Sequence, residues 1–477
     1  MNPARPVDDK LQNVRRAIWV YFWLLLLEGA LRKWALPAYS NPLLIIRDPV
    51  LLTAYFLALK AGVFPRNAWV WTLAIIGFFA FAVTFIPLWP YLPPSRILLV
   101  AGFGFRANFL HLPLVFLMAR VLRAEDVKRF GWWTLALVPP MALLMVAQFN
   151  AAPDAFLNHT AGGEGEMMTA ALGKVRTAGT FSFVIGVVAY FALATAFLIW
   201  GALKRDVYKS WLLFAAGTAI VIGISVSGSR SVVGACAVVV ASLGAVLLIR
   251  PDVLNRFGQI LIATVVLALV VSRMPIFKEG FDVLSTRFTE AAAATDQSMA
   301  RSLISRVFSN FSEGLYVLTK APFLGYGLGI GTNAGAKFLT GRSMFLLSEG
   351  EWSRVFLENG PILGLGFVIW RLALAANIGF LSLRALRLGN VLPLLLFSSC
   401  FLPLMNGQFG QPTVLGFAVF NAGLALAACK ELTPTGEPEA RRHVQRTQPA
   451  IPRRSAYADR LHDHAPGHGQ SNGSADR

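Results

Sequence analysis

Long runs of apolar residues, separated by short polar connections, recur along most of the chain. A helix that crosses a bilayer needs about 20 predominantly apolar residues, and on this rule the pattern predicts about twelve spans. Their predicted positions are 17–36, 42–60, 67–87, 95–119, 130–149, 179–202, 211–227, 231–249, 258–276, 355–379, 391–408 and 412–429. The predicted fold class is therefore all-α, a polytopic helical membrane protein.

Two connections are longer than a turn requires, at residues 150–177 and 277–354. Ordered loops of this length are commonly functional. In the second loop, apolar residues from Ile304 to Leu318 recur at helical spacing, which predicts an amphipathic helix that ends before Pro322. The predicted organisation is, in chain order, an N-terminal segment 1–16, membrane helices with the first long loop over 17–276, the large loop 277–354, membrane helices over 355–429, and a disordered basic tail 430–477.

The distribution of charge predicts how the chain is oriented. Lys and Arg number 43 against 25 Asp and Glu, and the basic residues gather in alternate connections. Because Lys and Arg concentrate in cytoplasmic loops, this alternation predicts cytoplasmic termini and places both long loops outside. A net charge of +18 would indicate a nucleic-acid partner for a soluble domain, but this chain is 56% hydrophobic. The predicted partner is the lipid bilayer, and no nucleic acid is expected.

Some cations fall where a bilayer disfavours charge. Four arginines lie in or beside long apolar runs: Arg32, Arg47, Arg106 and Arg230. A cation at that depth is costly unless it faces a polar cavity or a partner, so each position is a candidate functional site. Glu28 and Arg32 are spaced i,i+4 and could neutralise each other, and Arg47 could do the same with the adjacent Asp48. Structural pairing and a functional role both remain open at these positions.

The surroundings of Arg230 favour an anion more than a carboxylate partner. Arg230 lies among the hydroxyls of Ser227, Ser229 and Ser231, and no acidic residue is near it in sequence. The planar guanidinium offers a fork of donors that matches phosphate oxygens. Arg176 stands among threonines and a serine at the mouth of the sixth predicted span, where a simple interfacial anchor is the alternative.

The acidic residues gather where the large loop meets the tenth predicted span. Glu349, Glu351 and Glu358 flank Arg354 there. Helical spacing would pair Arg354 with Glu351 and Glu358, leaving Glu349 outside the pairs. The functional alternative is a general base. The three cysteines and the histidines show no spacing typical of a metal site, so no metal or other cofactor is predicted.

Several short motifs occur together in a fixed order. They are Arg-x-x-Gly-x-Phe at Arg176–Phe181, Ser-x-Ser-Arg at Ser227–Arg230, Pro-Phe-Leu-Gly-Tyr-Gly-Leu-Gly at 322–329, and Glu-Asn-Gly-Pro at 358–361. With the many spans and the large loop before the last of them, this combination resembles the O-antigen ligase and O-antigen polymerase family. The resemblance covers most of residues 90–430.

This resemblance implies a membrane glycosyltransferase that polymerises or ligates polyprenyl-pyrophosphate-linked glycan, either exopolysaccharide or O-antigen, on the periplasmic face of the bacterial inner membrane. The reaction would be metal-independent and inverting, and other polysaccharide-assembly proteins would be partners. Arg176 and Arg230 match the arginines of the family's donor site, and Arg106 and Arg354 are further candidates for contact with the pyrophosphate.

One departure from the family bears on the acceptor side. Ligases of the family carry a histidine late in the large loop, where this chain has Ser348-Glu-Gly-Glu351. A base at that place would be Glu349 or Glu351, which favours a polymerase. The competing class is a lipid-linked oligosaccharide flippase or a polysaccharide exporter. Such transporters commonly show an internal repeat, and none is visible in this sequence.

The orientation is testable by labelling single cysteines from outside intact spheroplasts, after replacement of Cys236, Cys400 and Cys429. A cysteine in loop 150–177 should react with an impermeant maleimide, and one in the tail 430–477 should react only after lysis. The reverse pattern would invert the orientation and move the candidate site to the cytoplasm.

Overall fold

The structure, a computed structural model, describes residues 5–162, 169–204, 206–249, 272–295, 311–342 and 344–432. All regular elements in these ranges are helical, apart from one isolated bridge between Thr169 and Val175. Among the described residues, seven helical segments are long and apolar enough to cross a membrane: Pro37–Lys60, Ala68–Leu88, Pro94–Val121, Ala124–Asn150, Val184–Leu203, Arg230–Ile249 and Glu351–Arg387. The prediction of an all-α protein with membrane-spanning helices is confirmed at this level.

The helices are, in chain order, α1 Arg5–Ala30, α2 Ser40–Leu43, α3 Arg47–Lys60, α4 Ala68–Val83, α5 Phe85–Leu88, α6 Pro94–Phe105, α7 Pro113–Val121, α8 Ala124–Asn150, α9 Val184–Leu203, α10 Ser210–Val226, α11 Arg230–Ile249, α12 Pro275–Thr295, α13 Asn333–Thr340, α14 Glu351–Arg387, α15 Leu392–Asn406 and α16 Pro412–Ala428. Short π-helical turns cover Leu31–Ala35 and Arg106–Leu110, and 3-10 turns cover Pro37–Tyr39, Phe156–Asn158, Ala171–Gly173 and Cys429–Leu432.

The predicted spans coincide with helices in most of the described chain. Three apolar helices, α10, α15 and α16, are shorter than a full span but occupy predicted positions. The predicted span 258–276 lies outside the described residues up to 271, and so does the tail from 433. The number of spans therefore stays a prediction. In the large loop, residues 311–318 are helical as predicted, while the start of that helix at Ile304 lies outside the described part of the chain.

The core is built around α16. Every residue from Val414 to Ala428 is buried, as expected for a helix that is apolar on all sides. Phe420 of this helix packs against Phe22 of α1 and Phe130 of α8, with ring centroids 5.4 and 5.2 Å away. Around α16 lie α1, α7, α9 and α15, so the first and last parts of the chain share one core.

A kink in α14 positions the loop that precedes it. Gly360 takes φ 72°, and Pro361 follows it. The glycine-rich run 325–331 enters this kink, where the amides of Tyr326 and Gly327 donate to the carbonyls of Leu357 and Glu358 at 2.7 and 3.0 Å. A Cβ at Gly360 would lie 2.2 Å from a backbone oxygen of the incoming loop, so glycine is required for this approach. The large loop is thereby fixed against α14 at the end of the acidic segment 349–358.

Candidate functional site

Buried charges connect the first helices of the chain. Arg47 is 0% exposed and donates from Nε to Glu28 at 2.9 Å and from Nη2 to the Pro412 carbonyl at 2.6 Å. Arg32 lies 3.7 Å from the same carboxylate, so the predicted Glu28–Arg32 pair exists but Arg47 is the nearer partner. The alternative pairing of Arg47 with Asp48 is wrong, because successive residues of a helix face different directions.

Asp48 instead binds side chains from the segment between α6 and α7. The π-helical turn there brings Arg106 and His111 to the same carboxylate: Arg106 Nε donates to Asp48, and His111 Nε2 lies 3.0 Å from it. The other ring nitrogen of His111 is 2.9 Å from the Tyr21 hydroxyl. We call Glu28, Arg32, Arg47, Asp48, Arg106 and His111 the buried charge network. Arg106 is thus held by a carboxylate and by the Leu44 carbonyl at 3.1 Å.

The π-helical turn after α1 holds the loop that follows Arg176. Arg32 donates to Ser182 at 3.1 Å, and Lys33, which is 1% exposed, donates to the Gly179 carbonyl at 2.6 Å. Gln148 of α8 binds both backbone groups of Gly179: it accepts from the Gly179 amide at 2.8 Å and donates to the Gly179 carbonyl at 3.2 Å. Sequence reasoning missed Lys33 and Gln148, although each is a polar residue within a predicted span.

The structure brings Arg176 beside the turn that leads to Arg230. Thr177 donates to the Val226 carbonyl at 3.1 Å, and a Cβ placed on Gly228 would lie 3.8 Å from Cγ of Arg176. Both arginines are partly exposed, and Arg230 is the first residue of α11. The helix dipole and first amides at that end favour an anion. Two of the four motifs named above, Arg176–Phe181 and Ser227–Arg230, therefore lie side by side.

The three serines of this turn differ in their roles. Ser227 is fully buried, donates to the Ile224 carbonyl at 2.7 Å and accepts from the Ser229 amide at 3.2 Å, so it shapes the turn. Ser229 is buried, whereas Ser231 is exposed in the first turn of α11. Helix α12 packs against α10 beside the turn, and Lys174 and Glu279 form an ion pair of 2.7 Å there. The site thus combines a rigid backbone with accessible polar groups.

A second cluster of charges is enclosed in α14. Arg354 donates to Glu351 at 3.0 Å and to Glu358 at 2.6 Å, which confirms both pairings predicted from helical spacing. Arg371, 0% exposed, donates to Glu351 at 2.6 Å and stacks on Phe409 with its Cζ 3.7 Å from the ring centroid. We call the four charged side chains of Glu351, Arg354, Glu358 and Arg371 the α14 cluster. Arg371 was missed, although it is an arginine within an apolar run like the others.

The α14 cluster is connected to the buried charge network. Arg354 also donates to Asn108 Oδ1 at 2.8 Å, in the π-helical turn that carries Arg106. Its Nε, Nη1 and Nη2 are all used within the protein. The geometry therefore favours a structural role for Arg354 and Glu351, and the predicted contact of Arg354 with pyrophosphate stays untested.

Glu349 stands apart from these ion pairs. It is exposed at the rim of a small cleft that is partly open to solvent, and Gln408 donates to its backbone carbonyl at 2.5 Å. The cleft is also lined by Asn333, Phe345 and Gln411. Of the two predicted catalytic carboxylates, only Glu349 lies outside the ion pairs of the described residues.

The buried charge network connects the Arg176 turn with this cleft. At one end Arg32 reaches Ser182, in the loop after Arg176, and at the other end Arg47 reaches the carbonyl of the residue after Gln411. Within the described ranges, no three His, Cys, Asp or Glu side chains gather as a metal site requires.

Comparison of the chain with models of protein families gives no match, and neither does comparison with curated proteins.

The different environments of Glu349 and Glu351 predict different effects on stability. Glu351→Gln should lower the free energy of unfolding by about 3–5 kcal/mol, because it leaves Arg371 without its carboxylate in the core. Glu349→Gln should change it by less than about 0.5 kcal/mol, as for an exposed side chain. Denaturant unfolding of both purified variants in detergent measures the difference. In the double variant Glu351→Gln/Arg371→Met, stability should recover in part; equal stability of all variants would contradict the assigned ion pairs.

Proposed function

We propose that the protein is a glycosyltransferase of the bacterial inner membrane that extends a polyprenyl-pyrophosphate-linked glycan, such as an exopolysaccharide or O-antigen, on the periplasmic face. The observation that carries this proposal is the position of Arg176 beside the hydroxyl-rich turn of Arg230. Two of the motifs that resemble those of O-antigen polymerases and ligases, Arg176–Phe181 and Ser227–Arg230, thus lie next to each other. Both termini are then cytoplasmic, as the loop charges indicate.

Arg176 and Arg230 bind the donor pyrophosphate in this proposal. Charge develops on the pyrophosphate as it leaves the anomeric carbon, and fixed guanidinium groups stabilise that charge more than mobile water does. The first amides of α11 add to the same field. Lys33 and Gln148 fix the Gly179 peptide, so Arg176 does not have to be ordered when the donor arrives.

Glu349 is the base on the acceptor side. Its carboxylate takes the proton of an acceptor hydroxyl while that oxygen bonds to the anomeric carbon, and the bond from this carbon to the pyrophosphate oxygen breaks. Polyprenyl pyrophosphate leaves, and attack from the opposite face inverts the anomeric configuration. Glu351 is less suited to this role, because its two oxygens accept from Arg354 and Arg371. The arginines neutralise the leaving group, so the proposal includes no cofactor.

A polymerase is favoured over a ligase because a glutamate stands where ligases of the family carry a histidine. A second candidate function is a flippase or exporter of lipid-linked oligosaccharide. The buried charge network supports it, because charged residues inside membrane helices commonly line transport paths. In that case the protein would move the donor across the membrane and form no glycosidic bond.

The donor role predicts a loss of activity in Arg230→Ala. A charge-assisted contact is worth about 1.5–3 kcal/mol, so chain extension in vitro should fall roughly ten- to a hundredfold. Arg230→Lys should recover only part of it, because an ammonium lacks the bidentate fork. Arg384→Ala, at an exposed arginine of α14, is the matched control. Full activity in both Arg176→Ala and Arg230→Ala would remove the pyrophosphate role.

The base role predicts that Glu349→Gln abolishes chain extension and leaves donor binding nearly unchanged, because the amide keeps the shape but cannot take a proton. Glu290→Gln, at an exposed glutamate of α12, is the matched control. Product length on a gel and donor affinity are measured on the same preparations. Long chains from Glu349→Gln would assign the base elsewhere.

A further inference from the structure

The cleft beside Glu349 is lined by groups that suit a sugar. Asn333, Gln408 and Gln411 present amide side chains, and Phe345 presents a partly exposed ring. An amide both donates and accepts, as the hydroxyls of a sugar do. An exposed ring offers an apolar surface to the C–H face of a pyranose.

One of these side-chain amides, that of Asn333, has an oxygen without a hydrogen-bond donor among the described residues. Within the described residues, the buried Oδ1 atom of Asn333 has no donor within hydrogen-bond distance. Buried polar atoms are nearly always hydrogen-bonded in native proteins, and exceptions commonly mark a place for a water or a ligand. A ligand hydroxyl in the cleft would supply the missing donor.

A chain of amide hydrogen bonds connects three of the residues that line the cleft. Gln411 Nε2 donates to Gln408 Oε1, and Gln408 Nε2 donates to the Glu349 carbonyl at 2.5 Å. Gln411 stands directly before Pro412, whose carbonyl is bound by the fully buried Arg47. The position of Glu349 is therefore tied to the core of the protein, as a binding surface with fixed geometry requires.

The described residues that line the cleft carry a net negative charge. Arg354 is the one cation among these described residues, and its charge is matched within the α14 cluster, where two arginines face two glutamates. Two exposed carboxylates remain: Glu349 lines the cleft, and Glu313 stands beside it, with its Oε1 3.4 Å from the hydroxyls of Ser348 and Ser353. Among the described residues neither carboxylate has a cation within ion-pair distance. An acidic sugar would meet like charge here.

We infer that this cleft is the acceptor subsite and that it selects uncharged or amino sugars over uronic acids, with Asn333 binding a sugar hydroxyl and the carboxylates of Glu313 and Glu349 excluding acidic residues of the glycan. This inference rests on the proposed function, because it assigns one substrate of that reaction to a place.

The first test measures binding without turnover. Wild-type protein in nanodiscs is titrated with a panel of neutral disaccharides and with the same disaccharides oxidised to the C6 carboxylate, followed by ligand-observed NMR. The neutral members should bind about three- to tenfold more tightly at low salt, and the difference should shrink as salt screens the rim. Glu313→Gln/Glu349→Gln should remove most of this preference. Equal binding of both classes, or no binding of any disaccharide, would overturn the inference.

The second test concerns Asn333. Asn333→Ala should raise the KM for the acceptor about five- to tenfold and leave the KM for the donor unchanged, because one hydrogen bond to the sugar is lost. Asn333→Asp keeps the shape and suits the first turn of a helix, so it should fold, and its added charge should increase the preference for neutral sugars. Gln12→Ala, an exposed amide on α1, is the control. A change in the KM for the donor alone would place Asn333 outside the acceptor subsite.

The two tests separate the inference from the proposed function. If wild-type protein forms no glycosidic bond with any donor but prefers neutral sugars through Asn333, Glu313 and Glu349, the proposed function fails and the sugar subsite stands. If chains are extended while acidic and neutral acceptors are used equally, the subsite assignment fails alone.

Discussion

The ion pair between Glu28 and Arg47 is the interaction on which the arrangement of the candidate site depends. A guanidinium that is 0% exposed inside a helical bundle must be neutralised, and a carboxylate 2.9 Å away does so. Arg47 also reaches the Pro412 carbonyl across Gly416, where a Cβ would lie 1.9 Å from Nη1 of the arginine. One side chain thereby connects α1, α3 and α16, which come from opposite ends of the sequence.

This constraint explains why the two halves of the proposed site occupy fixed positions. Helix α1 provides Glu28, and the π-helical turn that follows it holds the loop after Arg176 through Arg32 and Lys33. The same α16 that receives Arg47 begins next to Gln411 in the cleft. Donor and acceptor would approach surfaces that are held by one buried charge network. Fixed dipoles and charges of this kind stabilise developing charge without reorganising during the reaction.

Local spacing predicted part of this arrangement, and long-range pairing lay beyond it. The pairs of Arg354 with Glu351 and Glu358 follow from helical geometry and were predicted correctly. The partner of Asp48 is Arg106, 58 residues away, and no periodicity connects the two. Arg371 stands alone in an apolar run, as Arg47 and Arg106 do, so its position in the sequence carried the same signal although it was not among the predicted site residues. The span count and the sidedness of the loops remain predictions, since they depend on the membrane and on residues outside the described ranges.

In the proposed reaction the protein forms a glycosidic bond and releases polyprenyl pyrophosphate. The decisive experiment supplies purified protein in liposomes with a radiolabelled polyprenyl-pyrophosphate oligosaccharide and no nucleotide. We expect glycan chains longer than one repeat unit and one polyprenyl pyrophosphate released for each bond formed. Movement of the intact lipid-linked oligosaccharide between leaflets, with neither longer chains nor released pyrophosphate, would contradict this proposal and identify a transporter.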